Sequence, residues 1–339
     1  MAELDQITVA THRYIRSTPK LMDFVFQNDP LLSYLKLNVR EDYDGGRYIG
    51  ENFYYDGLIG GPYLKGKEFD ITEPQIEQQL QFNIKFFQVN VTLGKEDIQV
   101  INKGPNAAFR LIESRMTNAY MTIGAQLSIG MYLNGVNANY TANFNGLCEA
   151  LNDNSTNSWD GNTYATYGTI TRGGAVGTSL DSVPVNVAGT IEPNLGVTTV
   201  LCHSYIKEKF QTQQRFQDTQ DPKIGFNGLK FNSSVIMKSR YCPGTYLSGT
   251  NDKIAVTFMK QMTNNAVVAY PTITSETLWF INARKPYINF YVSDDPEFGF
   301  GFTGFKPSQG NTKVAGQVLF AGAVTAAPRY HKQLYGITG

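Results

Sequence analysis

Three groups of residues have types and spacings that could do chemistry. Gly299-Phe300-Gly301-Phe302-Thr303-Gly304 matches the G-x-G-x-x-G dinucleotide fingerprint letter for letter. That fingerprint works only where it follows a strand and opens a helix, because the helix N-terminus receives the pyrophosphate. Here Lys306-Pro307-Ser308-Gln309-Gly310 follows, which cannot start such a helix, and no βαβ unit comes after it. A glycine-aromatic strand or loop is the better reading. Asp294, Asp295 and Glu297 offer carboxylates of the kind that cleave glycosides. Neighbours this close in sequence seldom make that geometry, and Pro296 between them marks a turn, so a solvated acidic turn is expected. Cys202-His203 has the residue types of a metal site or of a nucleophile–base pair. Adjacent strand residues face opposite sides, and Cys148, Cys242, His12 and His331 show no ligand spacing. A buried cysteine beside a strand-end histidine is expected instead. No catalytic residue, metal ligand or cofactor is assigned.

The composition narrows the class. Lys+Arg and Asp+Glu each number 29, giving zero net charge. A protein that grips nucleic acid by neutralising phosphates carries a basic excess or stripe, so any contact with DNA is expected to be non-specific. Charged residues make up only 17% of the chain, below the usual quarter. A surface so poor in charge suits a protein whose outside becomes interface, although a β-rich monomer would look similar. The 21 Phe and 20 Tyr point to a β-rich chain with many aromatic contacts. The 339 residues suffice for one large domain or two intimately connected ones.

Met1-Ala2-Glu3-Leu4-Asp5 has acidic residues and no apolar run, unlike a signal peptide. The most apolar stretch, Val314–Ala327, is too short for a membrane span and contains Gln317 and two glycines. The sequons at Asn90, Asn139, Asn154 and Asn232 read as chance matches without a secretory signal. Three widely spaced cysteines argue against a disulfide framework and for folding in a reducing cytoplasm.

The elements that would position these residues follow from periodicity. An arm to about Arg40 has little regularity beyond a short helix around Pro30–Leu37. Gly45-Gly46 opens an extended stretch over Arg47–Asp56 with Phe53, Tyr54 and Tyr55, and a tip rich in Gly and Pro follows. In the return, Leu80, Phe82, Ile84 and Phe86 alternate with polar residues, which is a strand with one apolar face. At Phe86-Phe87 the phase flips, and Phe87, Val89, Val91 and Leu93 become the apolar set. A bulge, a sharp twist or a move between packing environments is needed there, which suits the junction where a projecting hairpin enters the body. A two-stranded hairpin is marginal in water by itself. This one is expected to lie on a surface, either a neighbouring subunit's or its own domain's.

Phe109, Ile112, Met116, Ala119, Tyr120, Ile123, Leu127 and Met131 keep three-or-four spacing and predict a helix over about 105–133. Pro105 sits in its first turn and Asn134-Gly135 ends it. It would be roughly 42 Å long at 1.5 Å per residue, and Gly124 is a place to bend. Beyond a short apolar piece at Gly146–Leu151, polar loops run to Pro193. Strands are expected at Val197–Cys202, at several places within 220–293, at Tyr287–Val292 and at Val314–Val324. A helix from the Ser204 N-cap to about Phe216 is expected too. Without repeat or long linker, the two halves should interleave.

The order of these pieces resembles the major capsid proteins of tailed bacteriophages, the fold typified by phage Hong Kong 97. The likeness rests on the arm with Asp23-Phe24-Val25-Phe26 and Pro30-Leu31-Leu32, the glycine-rich hairpin from Gly45 to Leu93, and the long helix opening Gly104-Pro105-Asn106-Ala107-Ala108-Phe109. It continues through Gly146–Leu151 with Tyr167–Arg172, Thr198–Phe216 with Gln214-Arg215-Phe216, and Leu278–Asn282 through to Pro328-Arg329-Tyr330. Each piece is weak by itself; their collinearity over nearly the whole chain carries the resemblance.

The resemblance implies an α+β fold with an N-terminal arm (1–40), an extended β-hairpin loop (41–94), a peripheral domain with the spine helix (95–145 plus 286–339) and an axial domain (146–285). It implies a structural, non-enzymatic protein of the virion capsid, assembled in the host bacterial cytoplasm. Copies would associate as hexamers and pentamers, enclosing double-stranded DNA held only non-specifically, with a portal protein, a decoration protein as a candidate addition, and no membrane. Two departures stand out. Gly173, Gly174, Pro184 and Gly189 leave little room for the axial helix common in the family, and no long helical extension precedes the arm, so a separate scaffolding protein is expected. Some members link this loop covalently to a neighbour through a lysine and an asparagine. Lys65 and Lys67 lie at the tip, but nothing in the sequence identifies a partner, and solvated lysines are expected. Phe53, Tyr54, Tyr55, Phe82 and Phe86 are the expected intersubunit contacts. An encapsulin-type compartment shares the implied fold, and a β-rich carbohydrate-binding or hydrolytic phage protein is the alternative of another class.

Overall fold

The computed structural model describes residues 29–38, 40–43, 45–54, 58–68, 71–72, 76–94, 96, 105–132, 143–151, 164–171, 199–202, 217–220, 227–231, 234–239, 241–242, 276–308 and 313–337. The arm before residue 29, the expected helix at Ser204–Phe216 and the stretch 173–193 lie outside them.

Helix α1 spans Pro30–Asn38, where a short helix was expected. The Leu31 N–H donates to Asp29 Oδ2 at 3.1 Å, the N-cap bond that satisfies an otherwise orphaned amide, and Pro30 occupies the first helical position, where a missing N–H costs nothing. The strands that follow are β1 (Arg40–Tyr43), β2 (Tyr48–Tyr54), β3 (Glu77–Asn83) and β4 (Lys85–Gly94). The return strand expected as one piece is thus two, broken at Ile84. β3 pairs with β2 in a two-stranded ribbon, Ile49 opposite Phe82 and Glu51 opposite Leu80. β4 leaves that ribbon for another sheet. The phase flip is therefore a change of sheet: each segment keeps period two toward the core, with its inward positions on opposite parities.

Helix α2 (Pro105–Tyr132) matches the expected spine to within a residue. Ile112, Met116, Ala119 and Tyr120 are buried while Ser114, Arg115 and Asn118 face solvent. Past Ile123 nearly every residue is buried, because the end of the helix touches both large sheets. Ser128 Oγ donates to the Gly124 carbonyl at 2.9 Å, an i−4 bond of the kind that bends helices.

The remaining elements are α3 (Leu147–Leu151), β5 (Thr166–Tyr167), β6 (Ile170–Thr171), β7 (Thr199–Cys202), β8 (Gln217–Gln220), β9 (Asn227–Phe231) and β10 (Ser234–Lys238). They are followed by β11 (Glu276–Ile281), β12 (Ile288–Ser293), β13 (Gly299–Phe302), β14 (Lys306–Ser308), β15 (Lys313–Ala326) and β16 (Lys332–Ile337). One six-stranded sheet has the order β1-β12-β15-β13, with β14 and β4 also on β15; the other runs β16-β11-β7-β10-β9-β8. N-terminal strands β1 and β4 thus lie beside C-terminal ones, and β16 joins the sheet of β7–β11. The halves interleave, as expected of a chain without repeat or long linker.

The core between α2 and the first sheet is aromatic. Phe290 stacks on Phe320 at 5.9 Å, Phe300 meets Phe320 at 4.7 Å, and Phe144 meets Phe87 at 4.8 Å. Tyr120 Oη donates to the Phe300 carbonyl at 2.9 Å, and burial pushes its phenol up to about 12. On the second sheet, Trp279 lies edge-on to Tyr132 at 5.6 Å.

Candidate functional site

The glycine-aromatic motif and the acidic turn prove to be one local device. Asp295 Oδ1 accepts the N–H groups of Glu297 at 2.8 Å and Phe298 at 3.2 Å, so the acidic residues build a turn rather than a carboxylate pair. β13 then runs tightly against it: the Gly301 N–H donates to the Glu297 carbonyl at 3.0 Å. A Cβ on Gly301 would sit 2.0 Å from the Pro296 carbonyl oxygen, which is why glycine stands there. The following β14 pairs with β15, so the motif opens no helix. Cys202 ends β7 in backbone terms, and His203 lies outside the described residues. Among the described residues no group of three or more His, Cys, Asp or Glu could hold a metal ion, and no helix is long and apolar enough to cross a membrane.

The feature with an unusual surface is the β2–β3 hairpin. Its root is clamped. Ile49, Leu80 and Phe82 point inward, and Phe82 is 1% exposed with its ring edge-on to Tyr167 at 5.1 Å. The Gln81 N–H donates to the Gly168 carbonyl at 2.9 Å. Gly168 has φ +57° and lies so close that a Cβ would come within 2.7 Å of Leu80 Cβ. Tyr167 Oη in turn donates to the Ala326 carbonyl at 3.0 Å and accepts the Ala326 N–H at 2.9 Å, tying the turn between β5 and β6 to β15.

One residue on this inward face is not apolar. Glu51 lies between Ile49 and Phe53, and its Oε1 accepts from Asn289 Nδ2 at 2.8 Å, Thr325 Oγ1 at 3.2 Å and Tyr291 Oη. Asn289 and Thr325 are cross-strand partners and Tyr291 is two residues along β12, so all three donors share the sheet face opposite Phe290. Burial first, then the Glu51 carboxylate, then Glu41 raise the Tyr291 phenol pKa. Lys285 Nζ holds Glu41 at 2.7 Å at the same edge.

The tip is the reverse. Leu58, Ile59, Tyr63, Leu64 and Ile71 are all exposed, Leu58 at 75%, Leu64 at 72% and Ile71 at 93%. Lys65 and Lys67 lie beside them, also exposed.

The expected contact residues are divided by this arrangement. Phe82 is covered by its own chain. Phe53 is half-buried against the core. Phe86 is 64% exposed, edge-on to Phe298 at 5.9 Å. Tyr54 is described as backbone only, and Tyr55 lies outside the described residues. The tip aliphatics were not singled out by sequence reasoning, because Gly and Pro between them hide any period. Glu51 had a signal, a charge at an inward parity of the strand, that was not used.

Two buried titrating groups also escaped notice. Asp29 accepts from Ser239 Oγ as well as from Leu31, and burial pushes its carboxyl up to about 6. His331 Nδ1 accepts the Asn282 N–H at 3.2 Å and its Nε2 faces the Tyr287 carbonyl at 2.9 Å; burial pulls it down to about 4. Lys85, where the chain changes sheets, is lowered by burial and held up by Glu149.

No protein-family model and no curated protein matches the sequence. Solved structures do. The capsid of a native GTA particle superposes with TM-score 0.50 at 7% identity, covering 90% of this chain and 91% of that one. The capsid of cyanophage A-1(L) does so with TM-score 0.50 at 13% identity, over 90% and 92%. The chain has the Hong Kong 97-type capsid fold. The holo-SrpI encapsulin complex from Synechococcus elongatus PCC 7942 aligns with TM-score 0.49 at 9% identity, over 91% of this chain and 88% of that one.

Proposed function

We propose that this chain is the major capsid protein of a tailed bacteriophage, a non-enzymatic subunit whose copies close into an icosahedral head around double-stranded DNA. The observation that carries this reading is the tip of the hairpin: Leu58, Ile59, Leu64 and Ile71 are exposed on a ribbon whose root is clamped. Apolar area is worth roughly 25 cal/mol per Å² when covered, and the chain's own core leaves these side chains uncovered. A neighbouring copy covers them. Each such contact can be weak, since many act together in a closed shell.

Within the shell, residues 1–40 form the arm, 41–94 the extended loop, 95–145 with 286–339 the peripheral domain and 146–285 the axial domain, which gathers copies into hexamers and pentamers. Phe53, Tyr54, Tyr55 and Phe86 add to the contact made by the tip, and Phe82 supports it from inside the root. A separate scaffolding protein directs closure, a portal protein occupies one vertex, and DNA contacts are non-specific because the chain carries no net charge.

Electron microscopy of the expressed protein tests this, alone and together with its neighbouring genes. Uniform closed shells that need the neighbouring genes are expected. A monomer that stays monomeric under both conditions overturns the reading, and uniform shells from the purified protein alone overturn the need for a scaffold. DNA inside a shell with one unique vertex separates a viral head from an enzyme-holding compartment.

A further inference from the structure

The hairpin's docking uses two kinds of contact with different consequences. Ile49, Leu80 and Phe82 bury apolar surface, and that attraction has no preferred direction. Apolar contact alone lets a two-stranded ribbon rock on the surface it covers. Glu51 is different. Its carboxylate lies in the apolar row between Ile49 and Phe53, where a leucine would dock as well and avoid the cost of taking a charge out of water. The three donors that meet it come from two strands of one sheet, Asn289 and Tyr291 on β12 and Thr325 on β15. Hydrogen bonds weaken steeply as they bend, so bonds from three separate points hold the ribbon at one tilt. Tyr291 donates to the carboxylate, and Glu41, which also bears on the Tyr291 phenol, is paired with Lys285.

We propose that Glu51 is the positioning residue that locks the tilt of the β2–β3 hairpin on the six-stranded sheet, and that freeing its carboxylate from Asn289, Tyr291 and Thr325 releases the hairpin to take another tilt. Leu64 lies thirteen residues beyond Glu51, up to about 40 Å away in extended chain. A few degrees at the lock therefore move the tip by ångströms, enough to change which surface it covers. The use of that tilt in a shell rests on the proposed function; the lock itself is a property of a single chain.

The test uses the full-length, unassembled chain with spin labels placed at Leu64 and Ser308 through unnatural amino acids, which leaves the cysteines untouched. The distance distribution and the melting temperature are read for wild type, Glu51→Leu, Glu51→Gln and Tyr291→Phe. The expected result is a narrow wild-type distribution that widens at least twofold in Glu51→Leu while the melting temperature is kept. Glu51→Gln, which keeps an accepting oxygen, and Tyr291→Phe, which removes one donor, should fall between. A Glu51→Leu distribution as narrow as wild type overturns the lock. If Glu51→Leu fails to fold, Tyr291→Phe decides by the same criterion. Wild-type assembly is scored separately by electron microscopy: failure to form shells overturns the capsid reading and leaves the lock standing, and a narrow Glu51→Leu distribution does the reverse.

Discussion

The root and the tip of the β2–β3 hairpin are built from the same kinds of residue, aromatic and aliphatic side chains on one ribbon, and end in opposite environments. At the root, Phe82 finds Tyr167, Leu80 finds the turn at Gly168, and Glu51 finds three donors. At the tip, Leu58, Leu64 and Ile71 find water. Residue type says that a side chain should be covered; it does not say by which molecule. What separates the two regions is whether a distant part of the same chain comes back to meet them. The turn between β5 and β6 and strand β15 do so at the root, and no described element does so at the tip.

The largest expected effect falls at the root. Phe82→Ala removes a fully covered ring and should cost about 3–5 kcal/mol, read as a lowered denaturant midpoint of the unassembled chain. A loss below about 1 kcal/mol would mean that the root is not clamped as described. Gly168→Ala comes next, since a left-handed backbone and a contact with Leu80 both oppose a methyl group there. About 1–3 kcal/mol is expected.

Acidity acts through the covered body in two opposing ways. His331 is neutral when folded, its pKa depressed to about 4 from 6.5. The unfolded chain therefore binds the proton first, and His331's contribution is present above pH 6.5 and lost as pH falls toward 4. Asp29 is raised to about 6 from 3.8. The folded chain binds that proton more tightly, so its contribution is present below pH 3.8 and lost as pH rises through 6. Stability of wild type minus that of His331→Gln should rise with pH across roughly 4 to 6.5, by about 1–3 kcal/mol. The same difference for Asp29→Ala should fall between pH 3.8 and 6. Equal slopes in both difference curves would contradict these burials.

The smallest effects on the lone chain belong to the exposed residues. Phe86→Ser should cost under about 1 kcal/mol, and Leu58→Ser with Leu64→Ser should stay within about 0.5 kcal/mol. On assembly the order inverts: the tip pair should raise the concentration needed for shells at least tenfold, measured by light scattering. A tip variant that is destabilised as much as Phe82→Ala, or that assembles normally, would erase the distinction between the regions.

Much of the architecture was legible locally. The apolar stripe from Phe109 to Met131 marks a helix whose observed ends, Pro105 and Tyr132, agree with the expected ones, because helical period and its terminators lie within a few residues of each other. The parity flip at Phe86-Phe87 likewise marks a real change of sheet at Ile84. The acidic turn and the glycine-aromatic strand were read as structural elements, since Pro296 and the missing helix after Gly304 are visible in the sequence.

The sites were less legible. Phe82 and Phe86 have the same side chain at the same parity of the expected strand, yet one is covered and the other exposed. Asp29 and His331 carried no chemistry in their neighbourhoods because Ser239 and Asn282 lie 210 and 49 residues away.

The sequence by itself determined the order of elements, their periods and the poverty of charge. Only the tertiary structure decided which aromatic faces are shielded within the chain, that Glu51 stands where three donors converge, and that the apolar side chains of the hairpin's tip stay exposed. Period is a property of a dozen neighbouring residues, whereas Phe82 is covered by Tyr167, 85 residues on, and Glu51 meets donors 238 to 274 residues away, which no local pattern encodes.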